Sequence, residues 1–252
     1  MSTIRVDFPI YVPAWLHGLL RRVKRAIIPP PPPPNKINIH GERHIEWTFI
    51  STEMPEGPGE ALEFGCEHGY LSLLAARKGF HVTALDLEAQ KFPWCHPSVH
   101  FVRGDLLKTE LPEDQFDLIV NCSSVEHVGL SGRYGINESA TDGDLEVMRR
   151  LWRMLKTDGK LLATMPCGRD LIAAPWHRVY GNERLPRLLA GFEIEKEMFW
   201  AKDFENRWMQ TSRNVALDFI PVFHPADPFQ CSYGLAAFVL RKSGRPPVEG
   251  EK

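Results

Sequence analysis

The chain lacks the features that mark several large protein classes. Its five cysteines, Cys66, Cys95, Cys122, Cys167 and Cys231, are odd in number, scattered and without a C-x-x-C pair. Neither a disulfide framework nor a structural zinc site is indicated, and a reducing cytosolic compartment fits best. No run approaches the roughly 18 consecutive apolar residues of a membrane-spanning helix, and the N-terminus does not read as a signal peptide. Charge of neither sign dominates: the formal net charge is −2, so no overall basic field recruits nucleic acid. No internal repeat occurs. What remains is a globular composition, 252 residues with 43% hydrophobic and 25% charged side chains, which suits one α/β domain with additions.

The stretch Ala61 to Leu87 organises the rest. Ala61-Leu62-Glu63-Phe64 has the length and composition of a buried parallel strand. Gly65 and Gly69 bracket a tight turn, and Tyr70 to Lys78 carries Leu71, Leu74 and Ala75 at helical spacing. Gly79 stops that helix, and the apolar run His81 to Leu85 delivers the carboxylate of Asp86 to a strand tip. Such a unit offers backbone N–H groups at a helix start, glycines that admit a ligand, and an acid for ribose hydroxyls. Dinucleotides and S-adenosylmethionine both use this layout. The turn Gly65-Cys66-Glu67-His68-Gly69-Tyr70 lacks the G-x-G-x-x-G spacing, and Glu67 would repel a pyrophosphate. A zwitterionic methionine moiety with its sulfonium tolerates Glu63 and Glu67, which favours the second ligand.

Along the chain, Ala14 to Ile28 places Trp15, Leu16, Leu19, Leu20, Val23 and Ile27 on one helical face beside Arg21, Arg22, Lys24 and Arg25. A basic amphipathic helix of this kind can lie on an anionic membrane surface or pack on protein, and packing is the commoner use. Pro29 to Pro34 predict a stiff polyproline spacer of about 19 Å, at ~3.1 Å per residue, the simpler reading beside a ligand for a proline-binding module. Residues 1–34 are therefore set apart from a domain spanning 35–242, with 243–252 a disordered tail. Ile37 to Met54, with His44, Glu46, Trp47 and Phe49, predicts a helix leading into the domain and packed near the ligand, as an aromatic lid or, more commonly, as plain core. Val99 to Val102 and Phe116 to Asn121 predict third and fourth strands. Thr141-Asp142-Gly143-Asp144 has capping-box character ahead of a helical face of Leu145, Met148, Trp152 and Leu155. Lys156 to Gly159 predicts a turn into a fifth strand, Lys160 to Met165. A short helix over Asn182 to Ala190 ends at Gly191, and Phe192 to Phe199 and Tyr233 to Leu240 complete the strands.

The glycine turn, Asp86, Gly104-Asp105, the FDLIVN strand with its Glu126-His127 pair, and the LKTDGKLL turn occur in one order. Together they resemble class I S-adenosylmethionine-dependent methyltransferases over roughly residues 45 to 241. Motif I of that family is E/D-x-G-x-G-x-G, and Glu67 stands at its middle glycine. SSVEHVGLSGRYG, DGDLEVMRRLWRMLK and HRVYGNERLPRLLAGF are similar to a bacterial group found among surface-polysaccharide and glycosyltransferase genes. The resemblance implies a Rossmann-like α/β fold, a seven-stranded sheet of order 3-2-1-4-5-7-6 with the last strand antiparallel and helices on both faces. It implies S-adenosylmethionine as cofactor, contacted by Glu63, Gly65, Cys66, Glu67, Gly69, Asp86, Leu87, Asp105, Leu106 and Asn121. It further implies O-methylation of a saccharide or related metabolite.

Methyl transfer to a hydroxyl is helped by a base, and His127, just past the fourth strand, is the candidate, with Glu126 beside it. The bland reading makes His127 a structural histidine tying down its loop, and Asp105 a turn acid. Arg133, Tyr134, His177, Arg178 and Tyr180 could line an acceptor pocket or tie down two loops. Asp142, Asp144 and His127 could hold a divalent cation, but capping accounts for both aspartates more simply, so no metal is expected. Two other classes remain in view. A cofactor-binding scaffold without turnover has Glu67 as its support. A nucleic-acid methyltransferase would want an Asn-Pro-Pro-Tyr-like motif, where this chain has Asn121-Cys122-Ser123-Ser124.

Overall fold

The computed structural model describes residues 41–88, 92–132, 134, 139–203, 207–222 and 232–244. The amphipathic segment, the proline spacer, nearly all of the tail and Arg133 lie outside the described residues. Among those described, no helix is long and apolar enough to cross a membrane.

The organising unit folds as its pattern predicts. Strand β1 (Gly59–Phe64) leads into helix α2 (Tyr70–Arg77), and β2 (Phe80–Asp86) pairs parallel with β1, Phe64 opposite Leu85. Ahead of it stands helix α1 (Arg43–Glu53), capped by Met54; of the expected 37–54, residues 37–40 lie outside the described residues. Strands β3 (Val99–Arg103) and β4 (Phe116–Cys122) follow, then a 3₁₀ turn (Val125–His127), helix α3 (Gly143–Met154) and β5 (Leu155–Cys167). Leu155 therefore opens the strand and does not extend the helix. Lys156 to Gly159 is an irregularity within β5, where the register against β4 jumps from Phe116–Leu155 to Leu118–Lys160 and Asp158 takes φ 62°. A small hairpin, β6 (Leu171–Ala173) with β7 (His177–Val179), precedes α4 (Arg184–Leu188), which is shorter than the expected 182–190. Strand β8 (Phe192–Lys202), β9 (Trp208–Thr211), α5 (Arg213–Leu217) and β10 (Gly234–Lys242) complete the domain.

The main sheet has eight strands in the order β3-β2-β1-β4-β5-β10-β8-β9. The expectation of seven in the order 3-2-1-4-5-7-6 is corrected: Trp208–Thr211 folds back on β8 as an antiparallel edge strand. The last strand, β10, is antiparallel to both β5 and β8. Side chains alternate across this sheet and bury a core on each face. One holds Leu62, Ile119, Leu161 and Phe238 against Met148 and Leu151 of α3. The other holds Ala61, Val120 and Leu162 against Phe49 and Ile50 of α1 and Leu71 and Ala75 of α2. Because β1 lies between β2 and β4, the chain crosses over in opposite directions from this point. The crevice outside the C-terminal ends of β1 and β4 is where such sheets bind ligands.

Candidate active site

The turn after β1 is wound through three left-handed residues, Gly65 (φ 71°), Glu67 (φ 45°) and Gly69 (φ 66°). Its start is tied to β2, with Gly65 N and Cys66 N both donating to Leu85 O, at 2.9 and 3.2 Å. Gly65 is required for space as well as conformation. A Cβ there would run into the Ser124 side chain, 2.6 Å from its Cβ. Asp86 at the end of β2 fixes the turn from below: Oδ2 accepts Glu67 N at 3.0 Å and Oδ1 accepts Glu88 N at 2.9 Å. Glu63 is buried and braces α2, accepting Ser72 N at 2.7 Å and the Ser72 hydroxyl. Burial pushes its carboxyl up to about 8 against those bonds.

A cleft of about 800 Å³ opens beside the turn, in the size range of small-molecule sites. It brings together Gly65, Glu67, Asp86, Leu87, Asp105, Leu106 and His127 from the expected set. Asp105 is also the turn acid of the bland reading, accepting Leu107 N at 2.9 Å with Lys108 Nζ at 3.7 Å. Glu63, Cys66 and Gly69 line only a narrow recess on the other side of the turn. Asn121 reaches neither space. It is fully buried, and its Oδ1 accepts Val125 N at 3.1 Å, so it anchors the 3₁₀ turn to β4.

That turn carries the candidate base. His127 Nδ1 lies 2.6 Å from Trp176 O. A carbonyl can only accept, so the geometry assigns the hydrogen to Nδ1 and leaves Nε2 as the basic nitrogen. Nε2 lies 3.8 Å from Glu126 Oε1. Glu126 is buried, and its Oε2 has no hydrogen-bond partner among the described residues. Burial, followed by the neighbouring carboxylates of Glu46 and Glu42, pushes Glu126 up to about 8 against the pull of Arg43.

Of the residues that could line an acceptor pocket, Tyr134 lies on the cleft with its ring 5.8 Å from that of His127. Arg178 and Tyr180 are fully buried. Arg178 is a tie: Nη1 donates to Glu126 O and Val128 O, and Nη2 to Ala140 O and Thr141 O. The capping expectation for the two aspartates is corrected. Asp142 stands at the N-cap of α3 without a side-chain cap bond. Arg184 Nη2 instead reaches Asp142 Oδ1 at 3.0 Å and Asp144 Oδ1 at 2.5 Å. With both aspartates held by arginines, no group of three or more His, Cys, Asp or Glu is placed to hold a metal among the described residues.

Helix α1 supplies what the sequence reading missed. Glu46 is fully buried and bonds the hydroxyls of Ser123 and Thr164, the latter at 2.8 Å. Burial raises its carboxyl above the usual range, although Arg43 opposes this. Arg43 Nη1 reaches Glu46 Oε2 at 3.1 Å, Cys122 Sγ at 3.2 Å and Cys122 O at 3.4 Å. The guanidinium borders the cleft and the recess alike. A signal existed: Glu46 lies three and four residues from Phe49 and Ile50, on the face that is otherwise apolar.

Residues 102–216 match a family model described as a Caenorhabditis protein of unknown function, DUF268. YqeM of Bacillus subtilis, named as a methyltransferase, is 29% identical over 125 residues, 46% of this chain and 46% of that protein. The chain thus spans about half the length of the curated relatives it matches. Among solved structures, the Burkholderia thailandensis 1,6-didemethyltoxoflavin-N1-methyltransferase, with bound 1,6-didemethyltoxoflavin and S-adenosylhomocysteine, superposes with TM-score 0.52. It is 17% identical, over 94% of this chain and 93% of that one. The [4+2]-cyclase SpnF superposes with the same score, 0.52, at 16% identity over 79% of this chain and 81% of that one. One fold thus serves chemistry other than methyl transfer, and activity must be argued from the site. The chain has the Rossmann-like α/β fold of these methyltransferases.

Proposed function

We propose that this protein is a methyltransferase that uses S-adenosylmethionine, with a hydroxyl of a saccharide or related small metabolite as acceptor. The observation that carries the reading is that one cleft at the strand ends gathers these candidates. Asp86, Asp105 and His127 all line it. The residues fit the cofactor: Asp86 keeps lone pairs beyond its two backbone bonds for ribose hydroxyls, Asp105 stands at the adenine position of the family pattern, and Gly65 leaves the turn open. When bound, S-adenosylmethionine supplies a methyl group activated on a sulfonium.

The protein's share of the reaction is orientation and a proton. Holding an acceptor oxygen in line with the methyl group supplies much of the acceleration in a displacement of this type. His127 Nε2, the ring nitrogen that does not face the Trp176 carbonyl, would take up the proton that the acceptor hydroxyl gives up. The Trp176 carbonyl keeps the ring in the required tautomer, and Glu126 lies beside the charge that develops. Arg178 fixes the backbone on both sides of His127 through Glu126 O and Val128 O.

Calorimetric titration tests the cofactor half of this reading. S-adenosylhomocysteine should bind saturably and NAD should not, and the reverse would remove the proposal. Asp86→Ala should weaken the binding by about tenfold or more, since hydrogen bonds to charged groups contribute roughly 1.5–3 kcal/mol. Transfer of label from cofactor to a fractionated extract then identifies the acceptor.

A further inference from the structure

The family pattern has glycine at the middle of this turn, where a positive φ carries no steric cost. Here that position holds Glu67, at φ 45°, a conformation that L-residues with a Cβ avoid. The backbone explains only part of this, since glycine would offer the same N–H to Asp86 Oδ2. The side chain must be sought a use. Its carboxylate is largely exposed and its one charged contact among the described residues is a 4.0 Å approach of His68 Nε2. It borders both the large cleft and the recess behind the turn, and so does Arg43.

Arg43 is arranged to receive an anion. All its contacts to Glu46 and Cys122 run through Nη1. Among the described residues Nη2 and Nε make no hydrogen bond, and Arg43 lines the cleft. The buried Glu46 carboxyl fixes the guanidinium without covering it, and a planar fork of free N–H groups matches a carboxylate. A cation and an anion thus stand together at the turn, on the lip that the two spaces share.

We propose that Arg43 and Glu67 form a charge bracket for the zwitterionic amino-acid end of the cofactor, Arg43 taking the carboxylate and Glu67 the ammonium. The inference rests on the cleft being an S-adenosylmethionine site. It makes Glu67 a specificity residue, selecting nucleosides that carry the amino-acid tail over those that end at the thioether.

Calorimetry with S-adenosylhomocysteine and 5′-methylthioadenosine, which lacks the tail, reads this directly on the full chain. Glu67→Gln and Arg43→Met should each weaken S-adenosylhomocysteine by about tenfold and change 5′-methylthioadenosine by less than about twofold. Glu67→Gly separates the bracket from backbone strain. The bracket requires Glu67→Gly to bind S-adenosylhomocysteine more weakly, whereas relief of strain alone would tighten both ligands and overturn the proposal. Equal loss of both ligands in Arg43→Met would also overturn it, because that is the signature of a disturbed fold. Failure of the wild type to bind either nucleoside would instead remove the cofactor reading itself.

Discussion

Arg178→Met is the perturbation whose consequences the structure fixes most closely. The wild-type side chain has no solvent exposure. Nη1 donates to Val128 O at 2.5 Å and Glu126 O at 3.3 Å, and Nη2 to Ala140 O and Thr141 O, both at 3.2 Å. Nε lies 3.6 Å from Asp144 Oδ1. Methionine is similar in length and apolar, so little cavity is created. What is lost is the common donor for four carbonyls and one of the two cations beside a fully buried aspartate. Removing one partner of a buried pair costs about 3–5 kcal/mol. Asp144 keeps Arg184, which argues for the lower end, about 3 kcal/mol. In a domain of this size that corresponds to a melting temperature lower by about 6–12 °C, at about 2–4 °C per kcal/mol. The loss is felt locally too, because the carbonyls belong to the 3₁₀ turn of His127 and to the stretch facing it. Below the melting transition, methyl transfer should therefore fall further than S-adenosylhomocysteine affinity. Scanning calorimetry, with titration at a temperature where both proteins are folded, provides both readouts. A melting temperature within about 2 °C of wild type would refute the energetic argument. Equal loss of binding and transfer would refute the claim that Arg178 acts on the His127 side.

Two further predictions concern the pair at the 3₁₀ turn. His127→Ala should lower turnover by about 10²–10⁴-fold, the usual contribution of a general base, and leave S-adenosylhomocysteine binding nearly unchanged. Near-normal turnover in a folded variant would exclude the base role. Glu126 keeps its proton in the folded protein up to about 8, from a starting value of 4.5, so between those values the folded state holds the extra proton and stability falls as pH rises. Glu126→Gln cannot titrate, so its stability relative to wild type should grow by about 3 kcal/mol between pH 5 and pH 7, at about 1.36 kcal/mol per pKa unit. Urea unfolding at the two pH values measures this, and parallel behaviour of the two proteins would show that Glu126 is ionised when folded.

The unit from β1 to Asp86 was legible because its signals are local. A fully buried parallel strand must be apolar along its length, a turn through left-handed residues wants glycine, and α2 follows at helical spacing. The elements that escaped are short or lack period: β6 and β7 have three residues each, β9 four and α5 five. The eighth strand was therefore invisible, and with it the true edge of the sheet. Asp142 and Asp144 show a local rule losing to a distant one. Both sit where a cap should be, yet Arg184, forty residues on from Asp144, offers a charged fork that outweighs a bond to a backbone N–H.

The site divides along the same line. The candidates Asp86, Asp105 and His127 follow β2, β3 and β4 closely, so their sequence positions alone put them on the crevice that they line. The residues that hold them in place come from elsewhere in the chain and obey no spacing. Glu46 meets Thr164 across 118 positions, and Arg178 meets Glu126 across 52. In isolation each looks like an error in its own element, a carboxylate on an apolar helix face and a cation in a buried hairpin strand. Neither cost makes sense within its element, since a buried charge without partners is strongly unfavourable. Both make sense once the ends of β4 and β5 are seen to carry backbone and hydroxyl groups that need a partner there. A charged residue on a face that should be apolar is thus a usable signal that something is being held, even before the sequence can say what.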